Sequence, residues 1–250
     1  MSRPGHPSPQ SRRRPMSLML HAGAEPVDYD ALHLMPTPEA TQTHVPIAHS
    51  AVVDMVRYAL GYYGHDITQE DFGVTPDGMR FFGVLSLQSS YGGYTDTVGL
   101  RNSHDKTFPI GISFGSRVFV CDNLAFSGDT VIRRKHTVHA KRDLPGIVAG
   151  VVEPLQAQRA SQHDQFRRYQ ATDLSPEAAD HLILQLYRKR IFTVTKIPEI
   201  LGHFENPPFD WGGRTAWRLF NAVTYVLEGR VVENPKATTE LHGVLDAVAA

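Results

Sequence analysis

Between Arg133 and Arg142 the chain reads Arg-Arg-Lys-His-Thr-Val-His-Ala-Lys-Arg, with five Lys or Arg in ten residues and no acidic residue among them. The whole chain has 25 in 250, so the local density is fivefold. A run of this kind can lie against a phosphate backbone, where each cation releases a condensed counterion. On a strand, Arg133 and Lys135 share one face and Arg134 and His136 the other, with Lys141 and Arg142 continuing the run. Tyr91 and Tyr94 flank Gly92-Gly93 and would stack on bases if their loop folded over the same face. The competing reading is a solvated edge strand whose charges deter aggregation. A second group, Arg188-Lys189-Arg190, falls at a helix C-terminus, where the helix dipole accounts for it.

Two polar turns are the other places for chemistry. Ser103-His104-Asp105-Lys106 and Cys121-Asp122-Asn123 offer His104 as a base, Asp105 and Asn123 as polar partners, and Ser103 or Cys121 as a nucleophile. That set would suit a hydrolase or nuclease. Adjacent residues do not make a dyad, however, because the side chains must converge in space. Cys121 follows Val118-Phe119-Val120 and also reads as a buried sheet residue. No Gly-x-Ser-x-Gly elbow is present. The glycines at Gly92-Gly93 and at Gly111 and Gly115 lack the Lys-Ser/Thr ending of a phosphate loop and read as turn or bulge positions. His136 and His139 point to opposite faces of a strand, and there is neither a His-Glu-x-x-His motif nor a Cys pair. No metal and no cofactor is expected.

These residues need a scaffold, and the totals bound it. The composition, 41% hydrophobic and 20% charged, is that of a globular protein long enough to bury its own core. A net charge of -1 and a pI of about 6.9 exclude global affinity for nucleic acid or an acidic membrane surface, so anion binding must be local. The single cysteine forms no internal disulfide. No window approaches the ~18 consecutive apolar residues of a membrane span. Arg12-Arg13-Arg14 precedes an apolar run, Met16 to Leu20, that is too short for a signal peptide. A cytoplasmic location is expected, with no membrane partner. A homo-oligomer or an assembly component is a third reading.

The periodicities predict the order of elements. Residues 1–45 form a Pro-, Ser- and Arg-rich tail, with an extended segment near Tyr29 to Met35. A helix is predicted from Ile47 to Tyr63, where Val52, Val53, Val56, Ala59 and Leu60 recur on one face. Strands follow at 79–87, 95–102, 110–121 and 130–139, joined by short turns that imply antiparallel neighbours. The period then becomes helical: 144–169, a helix capped by Ser175-Pro176, a short one at 197–203, and 215–227 with Thr215 as its cap. The fold class is α+β, an antiparallel β-meander preceded by one helix and followed by a helical C-terminal half. One domain is expected over 46–230, with a tail helix in 231–250.

Four segments together carry a resemblance. They are Arg101-Asn102-Ser103-His104-Asp105, Gly115 through Asn123, Arg134-Lys135-His136-Thr137, and Thr215 through Thr224. In this order and spacing they resemble the phage/plasmid-like protein family, catalogued as domain of unknown function 932, over about Asp54 to Gly229. The resemblance implies a bacterial, phage or plasmid setting, that of a mobile element. It supplies no established activity and no catalytic residue.

Overall fold

A computed structural model of the protein describes residues 23–89, 94–118, 124–227 and 236–250, with only the backbone of 116–118, 124–131 and 236. Six strands form one antiparallel sheet in sequence order: β1 (Glu25–Val27), β2 (Ile67–Val74), β3 (Arg80–Leu87), β4 (Tyr94–Ser103), β5 (Ile110–Val118) and β6 (Leu124–Arg134). Each strand pairs with the next, so the meander has β1 and β6 as its edges.

Two strands go beyond the sequence reading. β1 pairs Glu25 with Val74 on the outer side of β2. β2 escapes periodicity because its first half, Ile67-Thr68-Gln69-Glu70, is polar and at least partly exposed; only Phe72, Gly73 and Val74 are buried. The segment at Tyr29–Leu34 is a helix, α1, not an extended chain. Asp28 caps it by accepting from the Ala31 N–H at 2.7 Å. The predicted first helix is α2 (His49–Tyr62), with Val52, Val53, Val56 and Leu60 fully buried.

After the sheet come α3 (Ala140–Val152) and α4 (Leu155–Ala171), where the sequence reading has one helix. The break falls at Glu153-Pro154, where proline removes a backbone donor from the ladder. The chain continues through α5 (Pro176–Arg188), α6 (Ile197–Glu205), α7 (Ala216–Leu227) and α8 (Lys236–Asp246). Ser175 caps α5, accepting from the Ala178 N–H at 3.2 Å, with Pro176 in the first turn. Thr215 similarly receives the Arg218 N–H at 3.4 Å ahead of α7.

Alternation along the strands splits the sheet into two buried faces. Phe81, Leu85, Val98, Leu100 and Ile112 pack against α2 and α3. Phe82 and Val84, of opposite parity, join the helical half around Phe166, Tyr169, Trp217 and Phe220. The C-terminal α8 is part of this second core through Leu241 and Leu245. Gly83 sits where Phe72 and Phe81 close over the sheet; a Cβ there would lie 2.8 Å from Phe81 Cζ. Among the described residues no helix is long and apolar enough to cross a membrane.

Candidate nucleic-acid interface

The basic run is not one strand. β6 ends at Arg134, residues 135–139 turn, and α3 starts at Ala140. Only Arg133 and Arg134 therefore lie on a strand, and they point to opposite faces. Arg133 pairs with Gly111 and Arg134 with Ile110. The Arg134 guanidinium bonds Asp143 of α3 at 2.6 Å, and Arg142 reaches the same carboxylate at 2.9 Å. Asp143, one residue beyond the acid-free run, thus ties the strand end to the helix. Hydrogen bonding from Arg142 and the two guanidinium charges hold its pKa below the usual carboxylate range.

The remaining cations are exposed. Arg133, Lys135 and Lys141 make no ion pair among the described residues, and the Arg142 side chain is 74% exposed. The result is a cationic corner where β6 meets α3: Lys135, Lys141 and Arg142 are exposed beside the braced Arg134–Asp143 pair, and Arg133 is exposed on the other face of the strand. Arg133 stands close enough to Arg101 that its charge, second to burial, lowers the Arg101 pKa.

Tyr94 does not serve this corner. It is 2% exposed, its hydroxyl shares a hydrogen bond with His163 Nδ1 at 2.6 Å, and its ring meets Phe166 edge-on at 4.9 Å. A ring packed this way offers no face to a base. Tyr91, Cys121 and Asn123 lie outside the described residues.

At the Ser103–Lys106 turn the Asp105 carboxylate is enclosed by donors. Asp105 accepts from the Ser103 hydroxyl at 2.5 Å, the Thr107 N–H at 2.9 Å and Arg80 Nε at 2.7 Å. Partial burial raises its pKa, and these donors outweigh that, holding the carboxyl well below its usual range. His104 turns inward instead, 5% exposed, and donates Nε2–H to the Ile47 carbonyl at 2.9 Å. Between Ser103 and the far end of β5 at Val118 lies a strand about 26 Å long, from eight steps of ~3.3 Å.

His104 meets other histidines. His49 stacks on it with ring centroids 4.0 Å apart and planes within 6°. His136 lies edge-on at 6.2 Å, and His44 is 5.2 Å from His136. His49 donates Nε2–H to the Gly78 carbonyl, and its Nδ1 accepts from Asn102 Nδ2 at 2.9 Å. His136 Nδ1 accepts from the Ile47 N–H at 3.0 Å. Burial is the main cause that pushes both His49 and His136 down to about 4, reinforced by neighbouring histidines. The cluster pins the segment 44–49 and the loop after β6 to the end of β4. No three His, Cys, Asp or Glu among the described residues are placed to hold a metal ion. Sequence reasoning missed the cluster because its members come from segments far apart in the chain, and no local spacing reports it.

A family model described as Domain of unknown function (DUF932) matches residues 40–242. No curated protein and no solved structure matches the chain. The match takes in α2, the whole ladder from β2 to β6, the cationic corner and most of the helical half, so the chain belongs to the DUF932 family.

Proposed function

We propose that the chain is a non-enzymatic nucleic-acid-binding module that uses the corner between β6 and α3. One observation carries this reading: Arg133, Lys135, Lys141 and Arg142 are all exposed within ten residues that run from the end of β6 into α3, in a chain whose net charge is -1. Charges spread for solubility alone would be interspersed with acids. Asp143, which follows the run, is already engaged by Arg134 and Arg142. A mobile-element setting belongs to the same reading and rests on the sequence resemblance.

Fluorescence anisotropy with labelled single-stranded and duplex oligonucleotides tests it. Binding at low salt should weaken as salt rises, with a log–log slope of about −3 for four phosphate contacts on a single strand. The triple variant Arg133→Ala, Lys135→Ala, Lys141→Ala should lose most of that binding. No binding at low salt by the unaltered chain, or undiminished binding by the variant, overturns the proposal.

A further inference from the structure

Tyr58 and Tyr62, one turn apart on α2, are 76% and 74% exposed, and their rings lie nearly parallel with centroids 6.4 Å apart. Two large aromatic side chains held side by side in water are unusual for a helix that already buries its apolar face through Val52, Val53, Val56 and Leu60. They border a groove of about 430 Å3 between α2 and α3, lined also by Met55, Tyr63, Pro145 and Ala149.

The groove and the cationic corner share one helix. Lys141, Pro145 and Ala149 follow each other at four-residue steps, so they lie along one stripe of α3. Lys141 precedes the groove wall at Pro145 by about 6 Å along the helix axis. A cation therefore stands one turn before the aromatic trough, and at its far end Glu153, four residues beyond Ala149, lies close enough to Tyr63 to raise its pKa, second to burial. Among the described lining residues Asp54 is the one charged side chain, and its carboxylate accepts from the Tyr29 hydroxyl at 2.5 Å. An acid in the trough repels phosphate and leaves room for an uncharged, flat group.

We infer that the groove between α2 and α3 takes the unstacked bases of single-stranded nucleic acid on Tyr58 and Tyr62, while Lys141 and Arg142 hold the backbone beside it. The inference rests on the nucleic-acid reading above and names its substrate class. A duplex keeps its bases stacked inside, so it would use the cations and not the tyrosines. A single strand presents both its phosphates and its base faces, and base stacking on aromatics is largely independent of sequence.

The test is anisotropy with a labelled oligothymidylate and a mixed-sequence duplex of equal length, using the full chain and the double variant Tyr58→Ala, Tyr62→Ala. Both side chains are exposed, so the melting temperature should stay put and report intact folding. The expected result is a loss of about tenfold or more in single-strand affinity, with the salt slope and the duplex affinity unchanged. The variant Tyr58→Phe, Tyr62→Phe, which keeps both rings, should bind as the unaltered chain does. Single-strand binding that survives the alanine pair, or an equal loss on duplex, overturns the stacking site while leaving the cationic corner standing. Absence of binding by the unaltered chain overturns both.

Discussion

His49 and His104 lie face to face, 4.0 Å between ring centroids and 6° from parallel, with neither ring more than 5% exposed. Two imidazoles cannot both be charged at that distance, and burial disfavours the charged form of each, against the pull of the backbone carbonyls that accept their Nε2–H. His104 Nε2 donates to the Ile47 carbonyl and His49 Nε2 to the Gly78 carbonyl. The nitrogen that would take up a proton on His49 already accepts from Asn102, and that on His136 already accepts from the Ile47 N–H. Protonation would set two donors against each other in each case. Both groups sit at about 4 in the folded chain, against an ordinary histidine value of 6.5.

The sign of the pH dependence follows. Above 6.5 both the folded and unfolded chains hold these histidines neutral, and their contribution to stability is fully present. As pH falls through 6.5 the unfolded chain gains protons that the folded chain refuses, so stability declines down to about pH 4. By pH 5 the loss is on the order of 2 kcal/mol per histidine as a ceiling. Urea unfolding monitored from pH 8 to pH 5 should show this decline well above the range where carboxylates titrate. His136→Asn keeps an acceptor for the Ile47 N–H and cannot titrate, so it should flatten the slope by about one proton. An unchanged slope in that variant would show that His136 does not carry the effect.

A second buried polar contact makes a different prediction. Asp96 on β4 has a side chain 4% exposed, and Arg159 on α4 reaches it at 2.6 Å while also bonding the Gln88 carbonyl at 2.5 Å. Burial raises the Asp96 pKa even though the Arg159 charge opposes it. Arg159→Ala would strand a carboxylate between the sheet and the helical half, at a cost of about 3–5 kcal/mol. Asp96→Asn in the same chain should restore part of that loss, because the buried charge is gone. Chemical denaturation of the two single variants and the double variant gives the coupling directly. Additive losses would mean that the pair is not an energetic unit.

The parts of this fold that the sequence discloses are those whose cause is local. β3 to β5 show as apolar runs between turns. The cap at Ser175-Pro176 shows because its two residues are adjacent. β2 stays hidden because half of it is polar, and its pairing with β3 comes from the sheet and not from its own residues. The break at Pro154 is masked by Val151, Val152 and Leu155, which keep a helical rhythm across it. The cationic corner was legible as composition but not as shape, since a strand end, a turn and a helix start divide the run. Tyr94 was misplaced because Gly92-Gly93 beside it reads as loop, while the ring itself packs on Phe166. The tyrosine pair on α2 shows only when its neighbour α3 is seen to carry Lys141.

Asp143 ties the interface to stability in a way that can be separated. Its carboxylate takes both Arg134 and Arg142, so it neutralises charge at the corner while fixing the turn between β6 and α3. Both contacts keep solvent access, the Arg142 one most of all, and ion pairs so placed contribute little to folding. Asp143→Ala should therefore leave the melting temperature nearly unchanged. It should also free two guanidinium groups and remove an acid that pairs them, so oligonucleotide affinity should rise several-fold at low salt and the salt slope should steepen. Arg134→Ala should do neither, because it removes a cation that is already half-buried and engaged. Anisotropy titrations of both variants across salt concentrations separate the two roles. If Asp143→Ala binds no better than the unaltered chain, the corner does not act as a summed electrostatic surface, and the contact with phosphate would have to come from cations away from Asp143.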